Sequence, residues 1–310
     1  MKRTLIAAVM TLCCVLASAQ TTKQEFVDKY NLLTGKLGLD GVGVETLLTK
    51  WEAAFPEDQD MLEAFFLYYY TKCQTQGTTS SYSKRYLGQE PILELKDSLG
   101  KAVYYFYDYE YDDEMFGQAL SYLERANRAQ PAKLENRLAQ VTALLNYEKE
   151  SPDLALAAMT DLIAENYASN PEWTYAGEPV DGEEFISYVQ DYCLSFYRIG
   201  SDASYEAFRK ISEEMLRHEP SSHLFLDNMG TYSLVFRKDN KAALKYYDKA
   251  LKIKPDDMVA IQNCVIISRR QGSTKLEKKY LAMMVEYAEE ETARQSAKVR
   301  LDYLNGSKGR

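Results

Sequence analysis

The sequence predicts an all-α protein built as an array of helical hairpins, and three observations support this. Residues 239–255 place Ala243, Tyr247 and Ala250 at gaps of four and three, with a proline five residues on. Residues 116–131 place Ala119, Leu123 and Ala126 at the same gaps, again with a proline five residues on. Residues so spaced share one helix face. Small side chains there let a second helix approach, and proline ends the helix because it lacks an N–H and clashes with the preceding turn. Two copies of one helix-plus-stop unit argue for an internal repeat. The third observation is length: 310 residues exceed the usual single core, whereas a repeat array grows without adding domains.

The first 19 residues are expected to be a removable export signal. Lys2 and Arg3 give a positive start, residues 4–16 are mainly apolar, and Ala17-Ser18-Ala19 is a small-x-small cleavage site, so the mature repeat domain is 20–310. The apolar run is shorter than the roughly 20 residues a membrane helix needs, and no segment of the mature chain is apolar enough to span a bilayer. Lipid attachment is not expected, since Leu12 precedes Cys13 where the bacterial attachment pattern has a small residue.

Residues 24–33 read as a first helix. Gly38, Gly41 and Gly43 read as turns, because no strand precedes them as a nucleotide fingerprint requires. Residues 44–55 run up to Pro56. Asp58 can cap a helix at 61–72, whose apolar face carries Leu62, Phe65, Phe66 and Tyr69. Residues 77–90 are polar and read as a loop. Residues 92–113 hold an aromatic tract, Tyr104 to Tyr111, laced with Asp108, Glu110, Asp112 and Asp113. Its alternation fits a strand, but the helix-plus-stop unit follows directly, so the tract is assigned to a preceding helix ending near Tyr111. Leu134, Leu138, Val141 and Leu145 mark the next helix, and Ser151-Pro152 opens its partner at 154–167, with Ser as cap. Residues 169–181 form a second loop containing Pro171, Trp173 and Tyr175. Segments 183–197 and 204–216 make a hairpin closed by Pro220, and Pro220 to Pro255 spans 35 residues. Segments 276–289 and 291–304 finish the array, the last carrying Arg294, Lys298 and Arg300 as a polar cap. The total is about five or six hairpins with no strand-rich region.

The set Ala243, Tyr247, Ala250 and Pro255 resembles the second-helix signature of the tetratricopeptide repeat family. Met229-Gly230 resembles that family's first-helix Leu-Gly pair with one residue inserted, while its opening Trp and first-helix Tyr are absent. The resemblance is specific at 226–255 and 116–131 and degenerate elsewhere. It implies a TPR-like right-handed α-α superhelix with a period of about 34 residues, whose first helices line a concave groove. Counted back from Pro255, Asn228, Tyr232 and Phe236 would face that groove. One period on are Gln262 and Arg270, with Arg269 beside it; at the equivalent earlier repeat are Tyr104, Asp108 and Asp112. Such a groove suits a peptide: rings supply area, while amides and arginines hold backbone or carboxylate.

Charge and chemistry narrow the function. The chain has 37 basic and 46 acidic residues, and removing Lys2 and Arg3 leaves 35 against 46, a net charge of −11. That opposes nucleic-acid binding, which needs a basic surface. Both histidines, His218 and His223, lie in one short stretch. They are five apart with Pro220 between them, where a helical zinc motif needs four, so no metal ligand is expected. With no histidine outside that stretch, Ser–His or Cys–His arrangements have few options; carboxylates are plentiful, which leaves Asp or Glu chemistry open, but no pair stands out, and the 108–114 acidic tract lacks calcium-loop spacing. Catalytic residues and cofactors are therefore not expected. The mature cysteines, Cys73, Cys193 and Cys264, are odd in number and suit buried thiols better than a disulfide framework. The chain is thus expected to be an exported, non-catalytic protein of a Gram-negative periplasm that binds a peptide or protein partner. The rival expectation is glycan binding, with Trp173, Tyr175 and the Tyr104 to Tyr111 tract as stacking platforms.

Overall fold

A computed structural model describes residues 22–306 of the chain; the expected export signal and its cleavage site lie outside them. These residues are mainly helical, with thirteen helices and five short strands. Contacts divide the chain into two compact units. One runs up to Gly77 and includes Asp108–Pro131; the other comprises Thr78–Tyr107 and the residues from Ala132 on.

The first unit holds α1 (Lys23–Leu37), α2 (Val44–Ala54) and α3 (Gln59–Lys72). Thr22 and Asp58 cap α1 and α3 by accepting from backbone N–H groups in the first turn. Trp51, Leu48, Met61 and Phe65 form the buried core, and Phe26 stacks on Trp51 with ring centroids 5.8 Å apart.

A strand system follows, where the sequence pointed to a loop and a helix. β1 (Gln74–Ser81), β2 (Leu93–Lys96) and β3 (Ala102–Tyr111) make a sheet of order β1-β3-β2, with Leu93 opposite Tyr105 and Lys96 opposite Ala102. The alternation in the aromatic tract was the true signal: β-branched and aromatic residues suit a pleated, half-buried surface, and only Phe106 is fully enclosed. Asp97 closes the β2–β3 turn, its Oδ1 accepting from the N–H groups of Leu99 and Lys101, both at 2.9 Å.

The next helix, α4 (Asp113–Ala129), belongs to the first unit. It packs on α3, so the strands interrupt a helical pair in sequence. Phe65 stacks on Tyr122 at 4.3 Å, and Ala119, Leu123 and Ala126 are buried as the spacing predicted.

The second unit contains α5 (Leu134–Glu148), α6 (Asp153–Ser169), β4 (Thr174–Tyr175), β5 (Glu178–Pro179), α7 (Gly182–Ile199), α8 (Asp202–His218), α9 (His223–Val235), α10 (Asn240–Ile253), α11 (Met258–Arg270), α12 (Thr274–Tyr287) and α13 (Glu291–Gly306). From α7 on, each helix packs on the next in sequence. Ala243, Tyr247 and Ala250 of α10 are fully buried. A Cβ on Gly230 of α9 would lie 2.6 Å from the Tyr247 ring, so glycine is what lets the two helices close. Ser151 is not the cap of α6. The helix opens after Pro152, and the Glu148 carboxylate accepts from Leu154 and Ala155 N–H at 2.7 and 2.8 Å. Pro56, Pro131, Pro171, Pro220 and Pro255 each stand two residues past the last helical residue of α2, α4, α6, α8 and α10. The residue before each proline leaves the right-handed helical region, with negative φ at Phe55, Gln130, Glu219 and Lys254 and a left-handed conformation at Asn170.

Candidate functional site

A groove of about 590 Å³ opens in the second unit. Gln190, Leu194 and Tyr197 of α7 line it, as do Leu224, Asp227, Asn228 and Thr231 of α9. Their spacings of three and four put each set on one helix face. Lys254, Asp256 and Asp257 in the α10–α11 turn, Gln262 of α11, and Glu289 and Glu290 between α12 and α13 complete the lining. Asp256, Asp257, Glu289 and Glu290 outnumber the one lysine in the lining, so the groove carries negative potential.

Three groups converge at one end. His223 is the first residue of α9, and Asp227 is one turn further along the same face. Asp257 caps α11, its Oδ1 accepting from Val259 and Ala260 N–H at 3.0 and 3.4 Å. This leaves Oδ2 to meet His223 Nδ1 at 2.6 Å. Ligand atoms of all three lie within 4.8 Å of one another. Asp227 is buried, and its Oδ1 has no hydrogen-bond donor. Burial, and then the facing Asp257 carboxylate, push the Asp227 carboxyl up to about 9, with Lys254 pulling the other way.

Beside this cluster, Asn228 and Gln190 exchange amide hydrogen bonds of 2.8 and 3.1 Å, and Asn228 Nδ2 also donates to Ser212 Oγ. The amides hold α7 against α9 and set the groove wall.

The residues expected to form the groove are scattered. Asn228 and Gln262 line it. Tyr232 is buried, its hydroxyl donating to Glu206, and Phe236 packs on Tyr205 and Tyr232. Arg269 Nε donates at 2.7 Å to Glu277, a buried carboxylate that also accepts from Arg300, so Arg269 ties α11 to α12. Arg270 is exposed. Tyr104 sits in β3 opposite Glu94, Asp108 lies further along β3, and Asp112 caps α4. The last three follow from a helical count through a segment that is mostly strand: Tyr104 and Asp108, four apart in β3, share a strand face, Asp112 lies past the end of the strand, and none of them lines the groove.

The two histidines part company. His218 stacks on Tyr167 at 4.0 Å, while His223 turns to Asp257. His223 and Asp227 are four apart, and His223 and Asp257 are 34 apart, about one repeat. Both spacings were present in the sequence. A helical two-histidine motif does not include them.

Of the stacking platforms, Trp173 is buried against Phe185 with its indole N–H bonded to Asn166, and Tyr175 is stacked on Tyr188. Burial raises the thiols of Cys193 and Cys264 to about 12 and that of Cys73 to about 11, which suits packing rather than nucleophilic chemistry. No described helix is long and apolar enough to cross a membrane. No family model matches the chain, and no curated protein matches it in sequence.

Proposed function

We propose that this is an exported, non-catalytic binding protein of TPR-like right-handed superhelical character, whose acidic groove takes a peptide segment of a partner protein. One observation carries the reading: helical faces of α7, α9 and α11 converge on a groove where Asp256, Asp257, Glu289 and Glu290 outnumber the one lysine. Its walls are amides and aromatic edges, which grip an extended backbone without demanding one side chain. The negative potential selects a partner segment with lysine, arginine or a free amino terminus. The repeat reading draws on the common proline stops, the glycine closure at Gly230 and the 34-residue step from His223 to Asp257. The arginine clamp expected from the sequence has no part in it, because Arg269 is engaged with Glu277.

Panning a random peptide library against the mature chain is expected to enrich basic sequences. Glu289→Lys/Glu290→Lys should weaken the enriched peptides at least tenfold while the circular dichroism spectrum is unchanged. Absence of enrichment, or affinity unchanged in the double variant, would overturn the reading.

A further inference from the structure

We infer that His223, Asp227 and Asp257 form a binding site for a divalent first-row transition-metal ion, zinc being the best match. The site lies at the end of the groove but stands independently of the peptide reading. One imidazole nitrogen and two carboxylate oxygens are a mixed donor set of the kind such ions take, and the imidazole disfavours magnesium and calcium, which bind oxygen.

The geometry is nearly assembled. Donor atoms sit about 2.0–2.2 Å from zinc, so ligands of one ion lie about 3–4 Å apart. Here the three lie within 4.8 Å of one another, and His223 Nδ1 is 2.6 Å from Asp257 Oδ2. Small side-chain rotations bring all three onto one ion. Each ligand is held by the fold. His223 and Asp227 are successive turns of one helix. Asp257 is fixed by the α11 backbone through Oδ1, a supporting contact that leaves Oδ2 for the metal.

A second observation points the same way. Asp227 is 6% exposed, and its Oδ1 is buried without a hydrogen-bond donor. A buried carboxyl beside another carboxylate is costly unless a cation or a proton lies between them. The rest of the lining favours a cation, since Asp256, Glu289 and Glu290 add negative charge and Lys254 is the one opposing residue. Three protein ligands leave one position for water or a partner group, as in open zinc sites.

The test uses the untagged mature chain in chelator-treated buffer, titrated with zinc and separately with magnesium and calcium. One zinc per chain is expected, with no saturable uptake of the other two. His223→Gln and Asp227→Asn should each weaken zinc at least tenfold, and His218→Ala should leave it unchanged. X-ray absorption of the zinc-loaded wild type should show imidazole scattering from a single histidine, a readout that needs no variant to fold. No saturable zinc uptake, equal affinity in wild type and Asp227→Asn, or a zinc spectrum without imidazole would overturn the site. A proton shared between the carboxyls then satisfies the cluster. Peptide binding is read by the Glu289 and Glu290 variant, so failure of one proposal leaves the other standing.

Discussion

At the scale of single residues, Gly230 shows how packing reverses a propensity. Alanine is the better helix former by about 1 kcal/mol. Yet a Cβ at 230 would meet the fully buried Tyr247 ring at 2.6 Å. Overpacking of this kind costs about 1–3 kcal/mol before any gain in propensity. Gly230→Ala should therefore lower the melting temperature by a few degrees, as read by thermal circular dichroism. A rise would mean that α9 and α10 can separate without loss. Asp227 makes the complementary point. Its meaning depends on Asp257 and His223 beside it, and nothing at position 227 alone announces either.

Helices are governed by their ends. Five prolines each stand two residues past a helix end, and these stops were readable because proline acts locally, through its own ring and missing donor. The start of α6 was not. Ser151 has the residue type of a cap, but Glu148 reaches across the turn to the exposed N–H groups of Leu154 and Ala155. Glu148→Ala should cost about 1–2 kcal/mol by thermal unfolding, and Ser151→Ala close to nothing. Equal losses would return the cap to serine. The aromatic tract failed for a related reason. Its period-two pattern is visible in the sequence, but the adjacent helix-plus-stop unit implies a preceding helix. Strand β3 acquires its identity by pairing with β1 and β2, the first more than twenty residues upstream, whereas a helix closes its bonds within four residues.

Across the molecule, charge links the helices at the carboxy-terminal end. Glu277 of α12 accepts from Arg269 of α11 and Arg300 of α13. Hydrogen bonding to Arg300 holds its carboxyl below the usual glutamate value, against the opposing effect of burial; Arg269 adds to this. The folded state therefore binds the proton more weakly than the unfolded chain does. The resulting stabilisation is complete above the ordinary glutamate value of 4.5 and is lost as pH falls through the lower folded value. The difference in melting temperature between wild type and Glu277→Gln should be largest near neutrality and shrink below pH 4.5. A difference that does not change with pH would show that the triad acts through packing alone.

Helical class, the Ala243, Tyr247 and Ala250 face, the proline stops and the buried thiols could all be read from the chain in isolation, because each follows from spacing within a few turns. The groove, the strand insertion, the engagement of Arg269 and the meeting of His223 with Asp257 could not. Those depend on which turns lie side by side after packing, and side chains 8 to 34 residues apart acquire partners only when the backbone between them has folded.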